Sequence, residues 1–424
     1  MSSCGVVLCG FSVALALLAV PAASAQSQRT LTLPQALQRA LAANPRLTEA
    51  EREIGMAAGR RVQAAAIPNP EVSFELDNAF GSGDFRDLNS AETTLQLSQL
   101  IELGGKREAR IAAGTAELEA ARWQRAAIRL DILSETAIAF FGVLSAQRRI
   151  EIYDHQIASL DRLTPLLQRR VEAGASSSAE IARAQVAADL VRAERERATT
   201  SLAIGRLELA TLMGIGAPNF SHVTGDLARV GIPPGFRSVL TAIERNPQLI
   251  RWTAIRAQRD AELLIARLKP VPDLQAGVAW RRFRATNDSA VKLGVSIAIP
   301  VWDQNLGGIA EAQESRAKVE AERASAKAAL ILTLGRAYET LKGAAREIEL
   351  LRNSIIPNAR KAVEGIESGY SLGRFSLLEL LDVQNTVTEA AVRELEVLVN
   401  FHTSVATIEG LTGMPLALTG EGTR

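Results

Sequence analysis

Glu379 and Asp382 stand three residues apart in Leu377-Leu378-Glu379-Leu380-Leu381-Asp382, a spacing that puts two carboxylates on one face of a helix. Crowded in a narrow passage, such acids hold cations and repel anions. At the first turn of a solvated helix they serve only the helix dipole, and the spacing alone fits either role. Other chemistry finds little support. The three histidines, His155, His222 and His402, are far apart in sequence, so no metal site is expected. Gly104-Gly105-Lys106-Arg107 is not a phosphate loop, because Leu100 and Arg107 occupy positions that need Gly and Ser/Thr. No local Ser/His/Asp or Cys/His set stands out, so neither an enzyme nor a resident cofactor is expected. With 48 basic against 47 acidic residues, the chain also lacks the basic excess of a nucleic-acid binder.

These acids sit in an exported chain. Residues 1–28 carry no charged side chain, Val13 to Val20 form an apolar run, and Ala23-Ser24-Ala25 is a small-x-small cleavage site. A signal peptide over 1–25 is therefore expected, which removes Cys4 and Cys9. No later stretch is apolar enough for a spanning helix, so any membrane segment must be built of strands.

The elements that would position the acids occur twice. Asn44-Pro45 recurs as Asn246-Pro247 at an offset of 202. Ser98, Ile111 and Ala112 match Ser296, Ile309 and Ala310 at 198, and Gly174, Glu180, Gln185 and Gly214 match Gly373, Glu379, Gln384 and Gly413 at 199. The order and near-constant offset indicate an internal repeat. The expected units are 26–225 and 236–415, joined by a linker over 226–235 and followed by a tail over 416–424. Each unit reads as helices, a β-hairpin, a long helix and a returning helix. Asn44 and Pro45 suit a helix start. Spacing such as Leu47, Ile54 and Arg61/Val62 is compatible with coiled-coil packing.

Strict period two marks the hairpins, over 71–101 and 273–300. Val72, Phe74 and Leu76 alternate with Glu71, Ser73, Glu75 and Asp77; Val291, Leu293, Val295, Ile297 and Ile299 alternate with Lys292, Gly294, Ser296 and Ala298. One face is apolar and the other polar or small. Lys106 to Glu172 then spans ~67 residues, a rod of roughly 100 Å as an α-helix. With only 4% aromatic residues, the chain is expected to have thin packed helices and a barrel wall rather than a globular core. Strands of this length span a bilayer when tilted, and in lipid their edges must close into a barrel. Two chains would supply eight strands around a filled interior, three would supply twelve around an open lumen. The row Glu71, Ser73, Glu75, Asp77 and Lys292 would then be wetted, with Phe80, Trp280, Phe283 and Trp302 in interfacial belts. The contrary view is a periplasmic coiled-coil scaffold with soluble hairpins.

The segment Gly369-Tyr370-Ser371-Leu372-Gly373-Arg374-Phe375-Ser376-Leu377-Leu378-Glu379-Leu380-Leu381-Asp382, with the twofold repeat, resembles the TolC-like outer-membrane factor family over nearly the whole mature chain. Pro68-Asn69-Pro70-Glu71 and Gln99-Leu100-Ile101-Glu102-Leu103-Gly104-Gly105-Lys106-Arg107 look like its cation-efflux branch. The resemblance implies an α+β membrane protein: a homotrimer whose four strands per protomer close as a 12-stranded β-barrel in outer-membrane lipid, above a long α-helical coiled-coil barrel in the periplasm. It implies a periplasmic adaptor and a proton-driven inner-membrane pump of the RND class as partners. Cobalt, zinc, cadmium or nickel would be the cargo; the same duct in other branches serves drug efflux or type I protein secretion. By resemblance, Glu379 and Asp382 form acidic rings at the periplasmic gate, while Gly174, Ser178, Glu180, Gly373 and Ser376 lie in the adaptor-docking tips. The first tip has Arg183 where the second has Asp382. Pro165 and Pro357 are expected to kink the rods near the tips.

Overall fold

The computed structural model describes residues 30–418; the expected signal segment and residues 419–424 lie outside them. The order begins with β1 (Thr30–Thr32), α1 (Leu33–Ala43), α2 (Pro45–Ala64), β2 (Glu71–Asp77) and β3 (Glu92–Ile101). It continues through α3 (Lys106–Glu172), α4 (Ser178–Leu212), β4 (His222–Thr224), α5 (Phe236–Ala242) and α6 (Pro247–Leu268). Then come β5 (Leu274–Phe283), β6 (Asp288–Ile297), α7 (Leu306–Leu350), a π-helical segment (Leu351–Ile355), α8 (Ile356–Ser371) and α9 (Leu377–Thr412). Among the described residues, no helix is long and apolar enough to cross a membrane.

The 67-residue α3 is the spine. Near the sheet it packs against α2 and α6; towards the tips it packs against α4 and α9, with α7 flanking α6 and α9. The short helices stack end to end with the returning ones, and one side chain makes each joint. Asn44 accepts from the Arg46 N–H at 2.9 Å to cap α2, and its Nδ2 donates to the Leu212 carbonyl at the end of α4 at 2.8 Å. Asn246 does the same between α6 and α9, through Gln248 N–H at 2.7 Å and the Leu411 carbonyl at 2.7 Å. Both asparagines are buried. Unsatisfied carbonyls at one helix end and N–H groups at the next are thus met by a single amide. Small residues set the spacing of α2 on α3: Ala50 and Ala57 are buried, and a Cβ on Gly114 would come within 3.0 Å of the Arg61 Cα. Val62 is 71% exposed, so the expected seam position there is corrected to the alanine side of the helix.

A core absent from the sequence-based expectation lies midway along the rods. Leu31 and Val223 from the parallel pair β1–β4 meet Phe140 and Val143 of α3, Leu334 of α7 and Phe401 of α9, all buried. Gln147 of α3 docks that pair, donating to the Val223 carbonyl at 3.0 Å and accepting from its N–H at 2.9 Å. The segment between units contributes as well: Leu227 is buried in the core, and the Pro234 carbonyl accepts from the Tyr338 hydroxyl at 2.9 Å. A second apolar cluster lies near the tips, with Leu160, Leu167, Ala184, Ala188, Tyr370 and Leu380.

The two hairpins form one antiparallel sheet, in the order β2-β3-β5-β6. Its register aligns the apolar positions of all four strands. Val72, Leu97, Val278 and Leu293 make one row; Phe74, Leu95, Trp280 and Val291 make the next. Polar rows alternate: Ser73, Gln96, Ala279 and Lys292, then Glu75, Thr94, Arg281 and Ala290. A slip of one residue on any strand would mix these faces.

Candidate conduit surfaces and tip turns

The two faces of the sheet differ in the opposite sense to a soluble protein. Phe74 is 67% exposed, Val291 69% and Leu293 80%, and among the described residues no element covers them. On the polar face the small Thr94, Ser98 and Ala279 are buried among their neighbours, as on a concave surface. A hollow of about 330 Å³ there is lined by Gln96, Ser98, Gln275, Gly277, Lys292 and Ser296. Glu71, Ser73, Glu75, Asp77 and Lys292 all fall on this face, as the alternation predicts. Arg281 crosses it to Glu92 at 3.0 Å and donates to the Thr94 hydroxyl at 3.0 Å. Phe283 pairs with Glu92 and Asp288 on the polar side, so its expected place in an outward aromatic belt is corrected. Trp280 is outward, and Trp302, beyond the other end of the apolar band, is 93% exposed. The exposed apolar positions of β6 run from Val291 to Ile297, a rise of roughly 20 Å, and Ile299 and Val301 continue them past the strand end, where the chain turns.

The Gln99–Arg107 motif acquires a mechanical role here. Gly104 and Gly105 both take positive φ, +72° and +80°, which turns β3 into α3; a Cβ on Gly104 would meet the Val271 side chain at 2.9 Å. Lys106 reaches Asp273 at 2.8 Å, Asp273 accepts from the Leu103 N–H at 3.1 Å, and Arg110 forks onto both Glu102 oxygens. The β3–α3 and α6–β5 junctions are therefore cross-tied at the base of the sheet. Glu102 and Arg110 are legible in sequence as an eight-residue pair; Asp273 is not, since it lies far along the chain.

At the other end of α3 the chain reverses. Gly174 (φ +71°) donates to the Val171 carbonyl while Ala175 donates to Arg170; Gly373 (φ +75°) donates to Tyr370 while Arg374 donates to Gly369. Both are Schellman turns, in which a glycine in the left-handed region satisfies the last carbonyls of a helix. Ser177 caps α4 through the Ala179 N–H at 3.2 Å, and Ser178 is the first residue of that helix. Ser376 caps α9 through the Glu379 N–H at 3.3 Å, and the Glu379 carboxylate returns to accept from the Ser376 N–H at 2.7 Å and hydroxyl at 2.8 Å. The Ser376 N–H, then its hydroxyl, hold the Glu379 carboxyl below the usual carboxylate range. The pair read from spacing is thereby divided: Glu379 is engaged in a capping box, whereas the Asp382 carboxylate, one turn on, is exposed. Glu180 is half-buried and Arg183 exposed.

Pro165 lies within the uninterrupted α3, and Pro357 follows the π segment at the start of α8. Between the tips, the Arg170 guanidinium lies 4.9 Å from the centre of the Tyr370 ring and donates to the Tyr370 carbonyl at 3.3 Å. Burial pushes the Tyr370 hydroxyl up. This contact was not legible beforehand, because its two residues lie on different rods. His402 packs by stacking on Phe141 at 4.9 Å, and the exposed His222 touches Gln147 at 3.0 Å. Among the described residues no three His, Cys, Asp or Glu side chains gather as a metal-ligating group.

Comparison with known proteins places this geometry. The chain is 29% identical to the cobalt-zinc-cadmium resistance protein CzcC of Cupriavidus metallidurans, covering 93% of each chain. It is 25% identical to the nickel and cobalt resistance protein CnrC of the same organism, covering 71% of each. Its fold matches the Campylobacter jejuni CmeC outer membrane channel with a TM-score of 0.78, over 92% of this chain and 87% of that one, at 16% identity. The model of the outer membrane efflux protein family matches residues 36–215 and again 239–414, and the chain belongs to that family.

Proposed function

We propose that this chain is one protomer of a homotrimeric duct that carries divalent heavy-metal cations, of the cobalt, zinc, cadmium and nickel type, out across the outer membrane. The observation that carries the reading is the sheet: its outward face is apolar and exposed, and its edge strands β2 and β6 have no outer neighbour among the described residues. In lipid those edges require partners, and three copies supply twelve strands around a wetted interior. Glu71, Ser73, Glu75, Asp77 and Lys292 then line the lumen. The free flank of α4 exposes Val186, Leu190, Ile204 and Leu207, an apolar stripe suited to a neighbouring protomer.

The duct is one unit used twice in each chain, 26–225 and 236–415, after removal of residues 1–25. It runs from the outer membrane through the periplasm and meets a periplasmic adaptor fed by an inner-membrane RND pump. The adaptor docks on the turns at Gly174, Ser178, Glu180, Gly373 and Ser376. Three copies of Asp382, with Glu379 beside them, give the entrance its cation preference. Kinks at Pro165 and Pro357 draw the tips together. The metal cargo rests on the names of the relatives. A deletion strain tests it: sensitivity to cobalt, zinc, cadmium or nickel is expected, and unchanged metal tolerance with new drug sensitivity would replace metals by drugs as cargo. For the entrance, Asp382→Ala should weaken block of the reconstituted pore by divalent cations, and Glu379→Ala should weaken it less.

A further inference from the structure

The charges at the end of the sheet remote from the helices are sorted by side. Asp77, Glu92 and Asp288 share the polar, concave row with Phe283. The adjoining outward row reads Leu76, Thr93, Arg282 and Ser289, directly beyond the apolar row of Phe74, Leu95, Trp280 and Val291. Arg284 continues the ladder, donating its N–H to the Ala91 carbonyl at 3.0 Å, so alternation puts it on the outward side with Arg282. Arg281, on the inward side, is spent on Glu92. Arg282 and Arg284 are exposed and have no acidic partner among the described residues; Arg282 donates to the Asn287 side-chain carbonyl at 2.8 Å.

We propose that Arg282 and Arg284 form a binding site for the phosphate groups of the phosphorylated glycolipid in the outer leaflet. The proposal rests on the membrane-spanning reading above. A guanidinium offers planar paired donors that match phosphate oxygens, and two of them on one side of a strand fit a headgroup with two phosphates. Their level fits too: they begin one row beyond Trp280, where an apolar band gives way to headgroups. An arginine directed at lipid tails would be costly, whereas one at the headgroup level is not. The acids that would repel phosphate face the lumen instead.

The test uses the full-length trimer in nanodiscs of phosphatidylethanolamine containing diphosphorylated lipid A, dephosphorylated lipid A or phosphatidylglycerol. Diphosphorylated lipid A should raise the thermal midpoint of the wild-type protein, and the dephosphorylated form should not. Arg282→Gln with Arg284→Gln should weaken the apparent affinity for diphosphorylated lipid A by about tenfold, as expected for loss of charge-assisted bonds. The double lysine variant should recover part of it. Equal stabilisation by phosphatidylglycerol, or an unchanged affinity in the glutamine variant, would overturn the proposal. Failure to insert into bilayers at all would instead overturn the membrane-spanning reading, and flotation of the reconstituted protein separates the two outcomes.

Discussion

At Gly174 and at Gly373 the chain reverses through the same backbone, yet different side chains hold the two turns. The first is made of small and polar residues, and a lone serine hydroxyl caps its returning helix. The second has a reciprocal Ser376–Glu379 box, and Phe375 lies where a Cβ on Gly369 would intrude, at 2.3 Å. It also exposes Leu372 and Leu378, 69% and 64%, whereas the first exposes no large apolar side chain. One turn is therefore consolidated and presents apolar surface; the other is held by its backbone and by Arg170 lying on Tyr370. The difference teaches that a shared turn geometry does not imply a shared role.

The largest effect is expected from Tyr370→Ala, about 3 kcal/mol of local stability from loss of a buried aromatic ring. Hydrogen exchange should rise in both turns, since Arg170 loses its platform; an unaffected first turn would mean that the turns are uncoupled. Gly174→Ala and Gly373→Ala should each cost about 1 kcal/mol, because both glycines occupy the left-handed region. Unequal costs would break the claim of a common backbone. Ser376→Ala should cost about 1 kcal/mol and Ser177→Ala about half that, because only the former dismantles a two-way cap. Equal losses in exchange protection would remove the distinction between the caps.

The smallest effect is a pH step confined to the second turn. Glu379 titrates below its ordinary range in the folded protein, so its contribution is complete above that range and is lost as pH falls through the lowered value. Exchange corrected for intrinsic rates should therefore quicken at Ser376 and Glu379 in acid, while the hydroxyl cap at Ser177 shows no such step. Glu379→Gln should abolish the step.

The hairpins were legible because period two survives in Val72, Phe74 and Leu76 and in Val291, Leu293 and Val295. The turns were legible because their glycines are left-handed. The central core was not, since Leu31, Val223 and Leu227 come from short segments with no period of their own, and only the folded chain brings them to Phe140. Spacing gave Phe80, Trp280, Phe283 and Trp302 one role, but register alone decides the side, and it turns Phe283 inward. Likewise, the i, i+3 relation of Glu379 and Asp382 was correct, yet it could not tell a carboxylate bent back to its own cap from one left free. The pair of hydrogen bonds made by Asn44, one within its own helix and one to the end of another, depends on an end-to-end joint that no local pattern records.

The π segment Leu351–Ile355 has a bearing on the repeat proposed for this chain. The offset between corresponding residues is 198 at Ile111 and Ile309 but 199 at Gly174 and Gly373, so the second rod holds one residue more. In an unbroken α-helix one extra residue turns everything beyond it by about 100°. Tyr370 would swing away from the tip core and carry the reversal at Gly373 with it. A stretch wound more widely takes up the surplus residue in place. On the proposed repeat, the wide turn is where the second rod accommodates its extra residue without disturbing the phase of the helix on either side.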